Sequence, residues 1–190
     1  GNQEALRPTL KDQAKDVQMD PLSQGVLGAA APKSVAPPTH ARIAGLFGFL
    51  AGMAPDLDVF IRSSTDPLLF LEFHRQFTHS LIFIPFGGLL CGALLHQLFG
   101  KRRGLSLQRS VFYATLGYAT HALLDACTTY GTQLFWPFSD TRIAWNVVSI
   151  IDPFFTLPIL MLIVVSVFRR NAVLARMALA WAVTYLVIGV

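Results

Sequence analysis

The chain is 190 residues long, 53% hydrophobic and only 14% charged, with a mean hydropathy of +0.51. Soluble domains carry about 25% charged residues, so this composition excludes a disordered chain, a disulfide scaffold and an ordinary soluble domain, and points to a membrane helix bundle. The net charge of +4 comes without a basic stripe of interleaved aromatics, which argues against nucleic acid as a partner and reads as membrane orientation.

Residues 1–18 are polar and charge-balanced, and they read as a flexible leader or a non-native extension. From Met19 on, residues 19–190 read as one membrane-embedded domain. Two short apolar segments come first, Leu22–Ala31 and Ala41–Met53, separated by a proline-rich break at Lys33–Thr39. They suit a short N-terminal helical hairpin buried in a bundle. Four longer stretches follow: Ser80–Gly100, Arg109–Ala126, Val147–Phe168 and Ala172–Val190. Each is long and apolar enough to span about 30 Å. The expected fold is therefore all-α, a polytopic membrane bundle of four long spans plus the hairpin. The last span ends without a flanking charge, which points to a longer parent chain. Cys91 lies deep in its span whereas Cys127 lies at a span end, so no disulfide is expected.

Charge orients these spans. Nine of the twelve basic residues beyond residue 20 (Lys33, Arg42, Lys101, Arg102, Arg103, Arg109, Arg169, Arg170 and Arg176) fall at one end, which the positive-inside tendency makes cytoplasmic. All seven carboxylates of that region (Asp56, Asp58, Asp66, Glu72, Asp125, Asp140 and Asp152) fall at the opposite, periplasmic end. Acidic residues set topology only weakly, so their gathering there suggests a site. Trp136 and Trp145 at that end fit an aromatic belt.

Three motifs converge on the acidic end. Pro55-Asp56-Leu57-Asp58 places two carboxylates at i and i+2, pointing the same way in an extended turn. The plain alternative is a helix end with solvated acids. His74-Arg75-Gln76-Phe77-Thr78-His79-Ser80 carries two histidines five apart, which can meet only where the backbone is irregular. Otherwise they are an interfacial pair. Thr120-His121-Ala122-Leu123-Leu124-Asp125 sets His121 and Asp125 at i and i+4 on one helical face. There the alternative is an internal hydrogen bond that glues helices. Together the motifs supply three histidines and three carboxylates at one depth. Imidazole and carboxylate without thiolate suits zinc, manganese or iron(II), zinc first. Six candidates are enough for one ion with supporting side chains or for two ions. His40 and His96 lie towards the basic end and read as packing residues. The chain has no H-E-x-x-H, G-x-S-x-G, P-loop or G-x-G-x-x-G.

The ordered set of motifs resembles the YdjM-like family of predicted inner-membrane metal-dependent hydrolases. The resemblance runs from Met19-Asp20-Pro21-Leu22-Ser23-Gln24-Gly25-Val26-Leu27-Gly28-Ala29-Ala30 through the three motifs above. It continues in Thr128-Thr129-Tyr130-Gly131-Thr132-Gln133, Trp136-Pro137-Phe138-Ser139 and Ile151-Asp152-Pro153-Phe154. It implies a multi-pass bacterial inner-membrane protein with a metal-dependent hydrolase site. A distant similarity of that family to zinc-dependent phospholipase C favours phosphoester substrates.

On this reading His74, His79, His121 and Asp125 ligate the metal. Asp56 and Asp58 ligate a second ion or act as a general base. Arg75 presents a bidentate fork to phosphate. Thr128, Thr129, Tyr130 and Gln133 orient a lipid or lipid-linked substrate at the periplasmic leaflet. The competing reading is a metal-binding or transport protein that uses the same cluster for a cation in transit. No internal repeat of the transporter kind is visible, and nothing in the sequence sets the oligomeric state.

Overall fold

A computed structural model describes residues 20–60 and 76–189. Residues 1–19, Asp66, Glu72, His74 and Arg75 lie outside the described residues. Among the described residues the regular structure is helical: α1 (Pro21–Val35), α2 (Ala41–Met53), α3 (Ile84–Leu95), α4 (Leu107–Ala126), α5 (Pro153–Arg169) and α6 (Ala172–Ile188). The all-α expectation holds.

Four of the six described helices start at a side-chain cap that the sequence supplies. Asp20 accepts from the Leu22 and Ser23 amides with Pro21 in the first turn, and Asp152 does the same for Phe154 and Phe155 ahead of α5. Ser106 caps α4 and Asn171 caps α6. Helix α3 is the middle of a longer stretch. A 3-10 turn at Leu81–Phe83 leads into it, and a π turn at His96–Gly100 and a 3-10 turn at Lys101–Arg103 follow. Gly104, at φ 67°, closes it in the left-handed region.

Two expected boundaries move. The first apolar segment does not stop at Ala31: α1 runs on through Pro32 and Lys33 to Val35. Pro32 is tolerated because its ring packs over Gly48, and Lys33 is fully buried with Nζ donating to the Ala41 carbonyl at 3.4 Å. The stretch expected at Val147–Phe168 begins its helix only at Pro153, because the Asp152 cap fixes the start there. The residues before it fold back instead, and the Trp145 and Val147 amides donate to the Ala126 and Cys127 carbonyls at the end of α4.

Span lengths differ from the expected four. Among the described helices, only the stretch Leu81–Arg103, 23 residues, is both long and apolar enough to cross a membrane. Helices α5 and α6 are apolar but shorter, 17 residues each. Helix α4 has the length, 20 residues, but it lies at the centre of the bundle against α1, α2 and α3. Its Ser110, Tyr113, Tyr118, His121 and Asp125 are buried in protein, the side to which polar groups of a membrane helix turn.

The α5–α6 pair packs on α1, α1 pairs with α2, and α4 carries α3 on its other side. One core cluster joins Val26, Leu27 and Ala30 of α1 to Phe155 and Ile159 of α5 and Ala178 and Ala182 of α6. A hydroxyl contact between Ser23 and Thr156 pins α1 to α5. Glycines bring α1, α2 and α4 into backbone contact. A Cβ on Gly48 would overlap the Gly28 carbonyl oxygen, and one on Gly117 would overlap the Gly48 backbone. Beyond α4, residues 127–152 form a non-helical cap held by a Thr132–Ile143 bridge and by Leu81 donating to the Leu134 carbonyl at 2.9 Å. The two cysteines are free.

The contact predicts a sharp contrast within α2. Gly48→Ala should destabilise the protein by about 1–3 kcal/mol, the usual range for forcing extra volume into packed surroundings. Gly45→Ala, whose Cβ would meet nothing closer than Lys33 Cδ at 3.5 Å, should be neutral or stabilise by up to about 1 kcal/mol. Thermal unfolding of the detergent-purified variants checks this; equal midpoints would mean that the helices are not in backbone contact.

Candidate metal centre

Helix α4 supplies two side chains on one face near its C-terminal end, His121 and Asp125, both fully buried. The end of α2 runs into a 3-10 turn at Pro55–Phe60, which supplies Asp56 and Asp58. A second 3-10 turn, Phe77–His79, supplies His79 just before α3. The irregular backbone expected before that helix is this turn, and it aims His79 inward with no exposed surface.

Asp56, His79, His121 and Asp125 each offer one ligand atom, and these atoms all lie within 4.8 Å of one another. The two Nε2 atoms are 2.9 Å apart. His79 Nε2 lies 3.2 Å from Asp125 Oδ2 and 3.6 Å from Asp56 Oδ1. His121 Nε2 lies 3.4 Å from both of these oxygens. Four ligands held tetrahedrally at about 2.1 Å from a zinc-sized ion stand about 3.4 Å from each other. The group therefore has the size of one coordination shell.

Orientation favours the same conclusion. His121 Nδ1 donates to the Gly52 carbonyl at 2.6 Å, which leaves Nε2 of the neutral ring as a lone pair facing the other three residues. On the far side of the His79 ring, Asp58 Oδ2 lies 3.4 Å from Nδ1, and Thr78 Oγ1 is 2.9 Å from the same nitrogen while donating to Asp58 at 3.0 Å. That arrangement turns His79 Nε2 into the cluster. Among the described residues no hydrogen bond of good geometry reaches either oxygen of Asp56, although both are buried. Buried carboxylate oxygens without donors, facing two imidazole nitrogens, fit a cation between them. This Asp/His/His/Asp group could hold a metal ion.

The motifs thus meet, with some redistribution. Asp56, His79, His121 and Asp125 come together; Asp58 stands behind His79 instead of beside Asp56. His74 and Arg75 lie outside the described residues. Thr128 is buried and closes the turn after α4, donating to the Asp125 carbonyl at 2.7 Å and accepting from the Gly131 amide. Thr129 is exposed. Tyr130 is half-buried with the Arg142 guanidinium 4.6 Å over its ring. Gln133 is half-buried, and its Oε1 has no hydrogen-bond partner among the described residues. Of the remaining acids, Asp152 caps α5 and accepts from the Tyr185 hydroxyl at 2.8 Å, and Asp140 is exposed. His96 pairs with Ser110 at 3.0 Å at the basic end, as a packing residue would.

Sequence reasoning assigned no role to Gln24. It is fully buried on α1, and its Nε2 donates to Asp125 Oδ1 at 2.8 Å, leaving Oδ2 turned to the histidines. The available signal was a long amide in the first turn of an otherwise apolar helix. Gln24→Met, close in volume but without the amide, should weaken metal affinity about 10- to 100-fold, the usual cost of removing a group that orients a ligand. Competition with a chromophoric chelator measures it; an unchanged affinity would remove Gln24 from the site.

Comparison with known proteins places the chain in a family of membrane proteins. The profile described as YdjM inner membrane protein matches residues 19–190. The inner membrane protein YbcI of Escherichia coli (strain K12) is 35% identical over 107 residues, 54% of this chain and 60% of that protein. A Bacillus subtilis (strain 168) relative described as uncharacterized protein YfhP is 30% identical over 106 residues, 55% of this chain and 31% of that protein. The matched stretch thus spans less than two thirds of either relative's length. No solved structure matches. With its profile match running from residue 19 to 190, the chain belongs to the YdjM family of inner membrane proteins.

Proposed function

We propose that the protein is an integral-membrane, divalent-metal-dependent hydrolase that cleaves a phosphoester or other ester bond of a lipid or lipid-linked substrate at the periplasmic leaflet. The observation that carries this reading is the shell-sized group of Asp56, His79, His121 and Asp125, closed in protein at the acidic end of the bundle. These four residues would hold the ion, zinc by preference for mixed nitrogen and oxygen donors, with manganese or iron(II) as alternatives. Such an ion supplies Lewis acidity, polarising the oxygen of the scissile group and making water nucleophilic near neutral pH.

The chain's own residues do the rest. Asp58 and Thr78 hold the His79 ring, the Gly52 carbonyl holds His121, and Gln24 holds Asp125. Asp56 has a second oxygen that can take a proton from attacking water. Arg75 presents its fork to the phosphoryl oxygens. Thr129, Tyr130 and Gln133, on the cap above α4, orient the headgroup, and Thr128 keeps that cap seated. The exposed Phe138 and Phe154 at the same end suit contact with acyl chains. The basic residues gathered at the other end support a periplasmic site.

Purified protein tests the proposal. Wild type should carry a divalent metal and hydrolyse at least one of a panel of phospholipid and lipid-pyrophosphate substrates. His79→Ala should lose the metal, and Asp125→Asn should lower turnover about 100-fold or more while the protein stays folded. Full metal content with no hydrolysis across the panel would favour the metal-carrier reading. Wild-type turnover in both variants would dismiss the site.

A further inference from the structure

The basic end of the bundle holds a second feature that the metal centre does not use. A cavity of about 220 Å3 opens there, lined among others by Thr39, His40, Arg42, Arg103 and Arg170. Its three guanidiniums come from three separate places: the first turn of α2, the 3-10 turn that ends the α3 stretch, and the C-terminal cap of α5. It lies at the opposite end of α2 from Asp56, about 18 Å away along the 13-residue helix.

Orientation in a membrane asks only for basic residues at one end, in no particular arrangement. This arrangement is more specific. The carboxylates among the described residues all belong to the other end: Asp20 and Asp152 cap helix starts there, Asp56, Asp58 and Asp125 are at the cluster, and Asp140 lies in the cap over it. The cavity's lining accordingly contains no carboxylate. Arg42 is held in place by Nε, which donates to the Val167 carbonyl at 3.4 Å. Arg170 takes a left-handed backbone, φ 51°, where glycine is the cheaper residue. His40 Nδ1 faces Arg109 Nη1 at 3.4 Å and the Tyr113 hydroxyl at 3.5 Å. His40 also gives α2 no side-chain cap, so the first amides of that helix face the same region without one.

We infer that this cavity binds a phosphate group, clasped between Arg42, Arg103 and Arg170, of the kind an anionic phospholipid headgroup or free phosphate presents. Guanidiniums match phosphate oxygens in pairs, and basic pockets between membrane helices hold anionic headgroups in this way. The inference is independent of what the metal centre does.

Two probes separate the sources. Inorganic phosphate is titrated into detergent-purified protein by calorimetry, and phosphatidylglycerol retained against phosphatidylcholine is counted by native mass spectrometry. Saturable binding of either probe is expected. Arg42→Gln and Arg170→Gly should each weaken it about tenfold, the loss of one charge-assisted contact. Arg170→Gly also relieves the left-handed backbone, so lost binding there cannot be put down to lost folding. Arg102→Gln, an equal charge change outside the cavity lining, should leave the affinity nearly unchanged. Phosphate binding without lipid retention would name a soluble phosphate as the source, and the reverse would name the headgroup. Equal losses in all three variants, or no saturable binding of either probe, would overturn the assignment.

Discussion

The centre of the molecule depends on three helices meeting at their backbones. Gly28, Gly48, Gly52 and Gly117 remove the side chains that would hold α1, α2 and α4 apart. Only at that distance can Gln24 on α1 reach Asp125 on α4, and the Gly52 carbonyl on α2 reach His121. Contact of this kind gains little from the hydrophobic effect in a bilayer and rests on close packing. Packing and site are therefore one constraint: a methyl group between α1 and α2 would displace the carbonyl that orients a histidine.

The same closeness sets an electrostatic problem. Two carboxylates and two imidazoles share a buried space, and buried carboxylate charge is costly unless it is paired or bound to a cation. Asp58, Thr78 and Gln24 satisfy the outward-facing atoms of His79 and Asp125. What they leave turned inward is two Nε2 atoms and the oxygens of Asp56 and Asp125. A metal ion held there would offset the two carboxylate charges. The bundle is polarised, with a buried Asp/His/His/Asp group at one end and guanidiniums around a cavity at the other.

Much of this was legible in the sequence because local spacing carried it. His121 and Asp125 share a helical face by virtue of being four apart. Asp56 follows an apolar helix end, and His79 stands in a short irregular turn before another helix. Side chains whose role depends on tertiary neighbours were not legible. Gln24 meets a residue 101 positions away, and nothing in its own segment indicates which helix it will face. Asp58 looked equivalent to Asp56 in an extended turn, but the 3-10 geometry sends it behind His79. Hydropathy also overran the helix start at Pro153, since Val147 and Val148 are apolar yet pack against the end of α4 as loop. It stopped α1 too early, because Pro32 reads as a breaker unless a glycine receives its ring.

The central claim is that two histidines and two aspartates hold one divalent ion inside the bundle. X-ray absorption at the metal edge of the purified protein tests it directly. The account predicts one ion per chain with a shell of nitrogen and oxygen donors at about 2.0–2.2 Å, including two imidazoles. Sulfur in that shell, or an imidazole count that stays at two after His121→Ala, would contradict it.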